Sequence, residues 1–156
     1  MMRLKGWLSI ACAFVLTAAM PVAAAEIGEC NNLDSVSWLV GQTKSFAQGK
    51  IKIAHIDTDG EPVCCSSHLI VIIPAPELGS QCFALSQTAA KKEDESARGF
   101  ADIGFDKITA SYDPARGLLL TVPYTLYDSE GSGKGKPGTA RVRVDLRGDG
   151  SVKIEP

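Results

Sequence analysis

The chain has 156 residues, with 16 basic and 18 acidic side chains and a formal net charge of −2 at pH 7. It contains no basic run and only 6% aromatic residues, which argues against the cationic, base-stacking surface of a nucleic-acid-binding protein. Its length is that of a single domain large enough to bury a core of its own.

The first 25 residues have the three-part layout of a signal peptide. Arg3 and Lys5 precede an apolar run over residues 7–22, and three alanines then lead to Glu26. The apolar run is shorter than the roughly 20 residues that a membrane-spanning helix needs. We therefore expect cleavage after Ala25 and an exported protein, periplasmic or extracellular, with no membrane span after cleavage.

Cys12 raises the alternative of a lipoprotein that is acylated at this cysteine. Most of the apolar run follows Cys12, so cleavage there leaves too short a segment for export, and we favour the cleaved signal peptide. Removal of residues 1–25 takes away two basic residues and no acidic one. The mature chain, residues 26–156, then has 14 basic and 18 acidic residues and a net charge of −4. The short, alanine-rich leader is typical of a bacterial envelope protein.

The mature chain keeps four cysteines: Cys30, Cys64, Cys65 and Cys82. An even number of cysteines in an exported chain indicates disulfide bonds. A bond between the two adjacent cysteines closes a strained eight-membered ring. We therefore expect each of Cys64 and Cys65 to pair with one of Cys30 and Cys82, and the sequence leaves both such patterns open.

Residues 32–48 have the apolar spacing of a helix. Side chains suited to one helical face recur three or four residues apart: Leu33, Val36, Leu39, Val40, Thr43, Phe46 and Ala47. Asn32 can cap the start of this helix and Gly49 can end it. The sequence therefore predicts one N-terminal helix.

The next part of the chain predicts strands. Residues 50–56 alternate between polar and apolar, and the turn-forming residues 57–60 then lead to a return at Val63. The unbroken apolar run 69–73 predicts a strand that is buried on both faces and ended by Pro74. This strand is the expected centre of the core.

The C-terminal third predicts two hairpins. Four stretches that alternate between apolar and polar are separated by turn-forming residues: 108–112, 118–127, 140–147 and 152–154. A flexible loop over residues 128–138 joins the two hairpins. The four strands form an antiparallel meander whose apolar face we expect the N-terminal helix and the 69–73 strand to cover. The expected fold is a single, disulfide-stabilised α+β domain over residues 26–156.

A copper or zinc site is one alternative for the chemistry of this chain. His55 and His68 are its two histidines, and both lie near Cys64 and Cys65. Two thiolates and two imidazoles could hold either metal. Oxidised cysteines cannot ligate as thiolates, and export favours oxidation, so we expect no cofactor and keep the metal site as an alternative.

Catalysis is the second alternative. A serine or cysteine nucleophile needs a histidine base that a carboxylate orients, and no local motif supplies this set. Residues 131–136, rich in glycine and lysine, lack the spacing of a phosphate-binding loop. We therefore assign no catalytic residue, and a small secreted enzyme stays an alternative.

By elimination, we expect a non-catalytic binding or accessory protein, such as an inhibitor, an immunity protein or a subunit of an envelope assembly. Its expected partner is another envelope or secreted protein. The candidate contact residues lie on segments that we expect to project from the sheet: Ser66, Ser67, His68, Arg116, Lys134 and Lys136.

Overall fold

The computed structural model describes residues 25–30, 40–58, 65–77, 79–89, 97–127 and 135–156. The strands in these ranges, in chain order, are β1 (Glu26–Glu29), β2 (Val40–Phe46), β3 (Ile51–Asp57), β4 (Ser67–Pro74), β5 (Ser80–Ser86), β6 (Asp102–Ile103), β7 (Thr109–Asp113), β8 (Gly117–Leu126), β9 (Lys136–Asp145) and β10 (Ser151–Glu155). Single helical turns lie at Ala47–Gly49 and Phe105–Lys107.

The strands form two antiparallel sheets. The first sheet has the order β1-β5-β4-β3-β2, and the second has the order β10-β9-β8. One side of β8 pairs with both remaining strands: β7 pairs with its first half and β6 with its second half. The two sheets pack face to face with the main apolar core between them.

The predicted N-terminal helix over residues 32–48, and with it the α+β class, is wrong. Strands make up 66% and helical turns 6% of the described chain, which contains no helix of seven or more residues. Residues 40–46 form β2, which pairs with β3, and residues 32–39 lie outside the described ranges. Gly41 and Thr43 are poor helix formers, and β3 offers backbone partners that a local apolar pattern cannot reveal.

The run 69–73 was predicted to be a strand buried on both faces, and this is confirmed. It belongs to β4, the middle strand of the first sheet. Leu69 and Val71 point into the core between the sheets. Ile70 points to the opposite face and belongs to a second, smaller buried cluster with Cys30 and Ala84.

The two C-terminal hairpins are also confirmed, as β7–β8 and β9–β10. The expected loop 128–138 is shorter than predicted, because β9 begins at Lys136. Residues 128–134 lie outside the described ranges. Instead of a helix, the whole first sheet covers the apolar face of this meander.

A disulfide joins Cys30 to Cys82, with 5.5 Å between their Cα atoms. The prediction that each of these cysteines pairs with one of the adjacent cysteines is therefore wrong. The register of β1 on β5 explains the bond, because Glu29 lies opposite Phe83 and the next two positions are the bonded cysteines. This long-range register has no local signal in the sequence.

Gly117, which opens β8 after the β7–β8 turn, has a left-handed backbone with φ +86°, and a Cβ there would lie 2.3 Å from the Val144 carbonyl oxygen. Gly49 has the same φ, and a Cβ there would meet nothing within 4 Å. We expect Gly49→Ala to cost about 1 kcal/mol, from the left-handed backbone alone. Gly117→Ala adds a clash with backbone and should cost about 3 kcal/mol.

Urea unfolding of the two variants beside the wild type measures both costs. Because both positions have the same φ, the difference between the variants isolates the close approach of Gly117 to β9. Equal losses of stability at the two positions would contradict this packing.

Candidate functional site

At one end of the sandwich the two sheets leave an open cleft of about 660 Å³. One wall comes from the end of β2, the turn after it and the start of β3, and the other from β7, β8 and the end of β9. The residues that line the cleft are Phe46, Ala47, Gln48, Lys50, Ile51, Ala110, Tyr112, Pro114, Gly117, Leu118, Val144, Asp145, Leu146 and Arg147.

The floor of the cleft is the end of the apolar core that faces the cleft. Ile51, Leu118 and Val144 are buried members of the cluster between the sheets, and Phe46 and Leu146 pack against this cluster while staying half-buried. An apolar floor with a few polar groups around it is typical of a binding pocket. An apolar group that enters the cleft removes both its own surface and this floor from water.

Tyr112 stands at the mouth of the cleft. It lies opposite Leu118 in the β7–β8 ladder, and residues opposite each other point to the same face of a sheet. Leu118 is buried in the core, whereas Tyr112 is 71% exposed, the highest value among the large apolar side chains of the described residues. An aromatic ring is therefore presented to solvent beside an apolar pocket.

The turn between β2 and β3 forms part of the mouth and has an unusual backbone. Ala47 has φ 51° and Gln48 has φ 57°, so two consecutive residues with side chains lie in the left-handed region. This conformation costs roughly 1–2 kcal/mol for each such residue. Strain of this kind is enriched at functional sites, where the surrounding structure maintains it.

Three charged side chains line the cleft: Lys50, Asp145 and Arg147. The Arg147 guanidinium donates to both carboxylate oxygens of Asp145, with Nε at 2.8 Å from Oδ1 and 3.1 Å from Oδ2. These hydrogen bonds lower the pKa of Asp145 to about 2. Lys50 has no ion-pair partner among the described residues, so the lining carries one uncompensated positive charge.

Arg116, a predicted contact residue, lies in the β7–β8 turn but points to the outer face of the second sheet. It donates to the carboxylate of Glu155, which also accepts hydrogen bonds from Arg141 and Arg143. The hydrogen bond from Arg143, together with the charges of Arg116 and Arg143, lowers the pKa of Glu155. Arg116 is 58% exposed and is accessible outside the cleft.

The predicted contact residues at the start of β4 are mostly not at the surface. Ser66 is half-buried, and its carbonyl oxygen accepts a hydrogen bond from the backbone N–H of Thr58 at 3.1 Å. Ser67 and His68 are both buried. His68 Nδ1 lies 2.8 Å from Ser86 Oγ, whose residue is also buried. Ser67 and His68 therefore offer little to a partner that binds the outside of the sheet.

The structure places the two histidines on opposite faces of the first sheet. His55 shares its face with Ile53 of the main core, stacks against Phe105, and has Nε2 at 3.4 Å from Ser67 Oγ. His68 follows the alternation of Ile70, on the other face. Within the described ranges no three His, Cys, Asp or Glu side chains are grouped as a metal site.

Cys65 is also disulfide-bonded, so it has no free thiolate for the metal alternative; Cys64 lies outside the described residues. Since Cys30 and Cys82 bond each other, the five cysteines of the chain leave Cys12 or Cys64 as the partner of Cys65. Cleavage after Ala25 would remove Cys12. We therefore expect the exported chain to contain a bond between adjacent cysteines, the option that ring strain argued against.

Peptide mapping of the exported protein without reductant tests this pairing. We expect one cross-linked peptide pair that contains Cys30 and Cys82. A single peptide should contain both cysteines of the second bond. Its mass should be lower than that of its reduced form by two hydrogen atoms. A free thiol at Cys65 would contradict the expectation.

The remaining predicted contact residues lie away from the cleft or outside the description. Lys136 is exposed at the start of β9, and Lys134 is outside the described ranges. Arg116 was the predicted contact residue of the turn 113–117, and Pro114 and Gly117 of the same turn do line the cleft. Tyr112 and Lys50 were not predicted, because each occupies an ordinary position in an alternating strand pattern and nothing local shows that the opposite sheet ends beside it.

No helix in the described ranges is long and apolar enough to cross a membrane. Comparison of the chain with protein-family models, with curated proteins and with solved structures found no match.

Proposed function

We propose that this protein is an exported, non-catalytic binding or accessory protein that holds part of another exported protein in the cleft. The observation that carries the proposal is the open, apolar-floored cleft of about 660 Å³ with the exposed Tyr112 at its mouth. A preformed surface of this kind suits an inhibitor, an immunity protein or a subunit of an envelope assembly.

Export is supported by the signal-peptide pattern of residues 1–25 together with the Cys30–Cys82 disulfide. Disulfides persist in the periplasm and outside the cell, where thiols are not kept reduced. The bond fastens the end of the first strand to the sheet, so a compartment in which it persists stabilises this fold.

The side chains of the cleft favour binding over catalysis. Its ionisable lining residues are Lys50, Tyr112, Asp145 and Arg147. Asp145 and Arg147 neutralise each other in a hydrogen-bonded pair, and both histidines lie elsewhere, His68 buried and bonded to Ser86. The cleft thus combines apolar area, an aromatic ring and one unpaired ammonium group, which are the elements of a recognition surface.

Site-specific cross-linking in the producing cell tests the proposal. A photo-cross-linking amino acid is placed at position 112 or 48, both at the mouth of the cleft, and at position 153 on the outer face of the second sheet as a matched exposed control. We expect a discrete adduct from positions 112 and 48 with a protein that carries its own export signal. Adducts from position 153 alone, or from none of the three, would overturn the proposal.

A further inference from the structure

Strand β7 is an unprotected edge of the second sheet. It pairs with β8 in an unbroken register from Thr109 to Asp113, and within the described part of the chain no strand pairs with its other side. Among the described residues, no hydrogen bond uses the backbone N–H and C=O groups on that side. Such an edge is a template for an added strand.

The other edges in the described residues carry features that hinder strand addition, and β7 does not. The features are Glu26 and Glu29 in β1, Lys44 and a register shift in β2, a length of two residues in β6, and Lys153 and Glu155 in β10. Charged side chains, register shifts and short strands all discourage pairing of edges. In β7 the one charged residue is Asp113, at its end, whose carboxylate accepts a hydrogen bond from the Ala115 N–H at 2.7 Å.

The open edge runs along the mouth of the cleft. Ala110 and Tyr112 of β7 line the cleft, and alternate residues of an added strand would point to the same face as these two. The side chains on that face would therefore point to the cleft side of the sheet, next to Ala110 and Tyr112. Backbone pairing would supply affinity, and the cleft would select the side chains.

We propose that β7 binds an extended segment of the partner protein as an additional strand, with alternate apolar side chains in the cleft. This inference rests on the proposed function. Lys50 lines the cleft without an ion-pair partner among the described residues, whereas Asp145 and Arg147 compensate each other. The bound segment therefore carries a carboxylate beside its apolar residues, where it faces Lys50.

A displayed library of short random peptides, selected on the intact exported protein, tests this recognition. We expect the enriched peptides to alternate between apolar and other residues and to include an acidic residue. Fluorescence anisotropy of one enriched peptide then gives its Kd. The same peptide with alternate backbone amides N-methylated keeps its side chains but cannot form the ladder, and we expect its affinity to fall at least about tenfold.

Two measurements on the protein complete the test. Lys50→Ala should raise the Kd of the acidic peptide roughly two- to fivefold. Lys153→Ala, on the outer face, should leave this Kd unchanged. Amide hydrogen exchange of the complex should show new protection within β7. Failure to enrich any peptide, or equal affinity of the N-methylated peptide, would overturn strand addition.

The outcomes separate this inference from the proposed function. A partner adduct at position 112 combined with peptides that are insensitive to N-methylation would keep the cleft as a binding site and reject strand addition. Adducts in which position 112 cross-links to a second copy of this chain would replace the foreign segment with self-association and overturn the inference as stated.

Discussion

Acidification from pH 7 to pH 4 should remove about 3 kcal/mol of folding free energy through one side chain, His68. Burial of the imidazole lowers the pKa of His68 from 6.5 to about 4, against a smaller opposing effect of Asp57 and with a small contribution from His55 in the same direction. His68 is 2% exposed, its Nδ1 lies 2.8 Å from Ser86 Oγ, and the Gly99 backbone packs over its Nε2.

The sign of this effect follows from proton linkage. Between pH 6.5 and pH 4 the unfolded chain binds a proton at His68 that the folded chain does not, so stability falls as the pH falls through this window. Above pH 6.5 the neutral form dominates in both states and the full contribution is present. The two pKa values differ by about 2.5 units, and one unit corresponds to 1.36 kcal/mol, which gives the expected loss of about 3 kcal/mol.

Urea unfolding at several pH values between 4 and 7 measures this loss. The variant His68→Gln cannot titrate, so its stability should vary less over the window, whatever its absolute stability. His55→Gln is the matched control and should keep most of the pH-dependent step, because His55 makes only a small contribution to the lowered pKa of His68. NMR titration of the wild-type histidines reads the pKa of His68 directly, and a value near 6.5 in the folded protein would contradict the prediction.

Loss of the Cys30–Cys82 bond should cost about 4 kcal/mol. The two cysteines are 52 residues apart in the chain, and the chain-entropy estimate for a closed loop of this length gives that figure. This is a large fraction of the stability of a small domain. The bond also holds the end of β1, a four-residue edge strand that pairs with β5 alone among the described strands.

The double variant Cys30→Ala, Cys82→Ala tests the estimate in urea unfolding, with the other cysteines unchanged. Besides the loss of stability, we expect the amides of β1 to exchange faster than those of β4, because the end of β1 is no longer tethered. A cost below about 1 kcal/mol would show that strand pairing alone holds this segment. Reductant is kept out of the measurement, since it would also reach Cys65.

Most strands could be predicted because their signals are local. The alternation in residues 108–112 and 140–147 and the turns at 113–117 and 148–150 together specify two hairpins, whose partners are near in sequence. The apolar run 69–73 likewise marked a central strand, because only a strand covered on both faces can be apolar throughout.

The N-terminal region was misjudged because its pattern suits two structures. Side chains at 40, 43 and 46 fit one face of a helix, yet the backbone of residues 40–46 pairs with β3. Whether these residues form a helix or a strand depends on whether a strand edge is available for pairing. Only the tertiary structure supplies that edge. The disulfide was missed for a similar reason, since the register of β1 on β5 joins positions 52 residues apart.

The sequence by itself determined the strand-rich composition, the hairpins, the central strand and the expectation of export, because hydrophobic alternation and turn-forming residues act over a few neighbouring positions. Only the tertiary structure decided where the sheets part, which leaves Tyr112 exposed beside Ile51 and Leu118. It also decided that His55 and His68 lie on opposite faces. A cleft arises where one sheet does not cover the other, and an open edge arises where a strand has a neighbour on one side alone. Both depend on contacts between residues far apart in the chain.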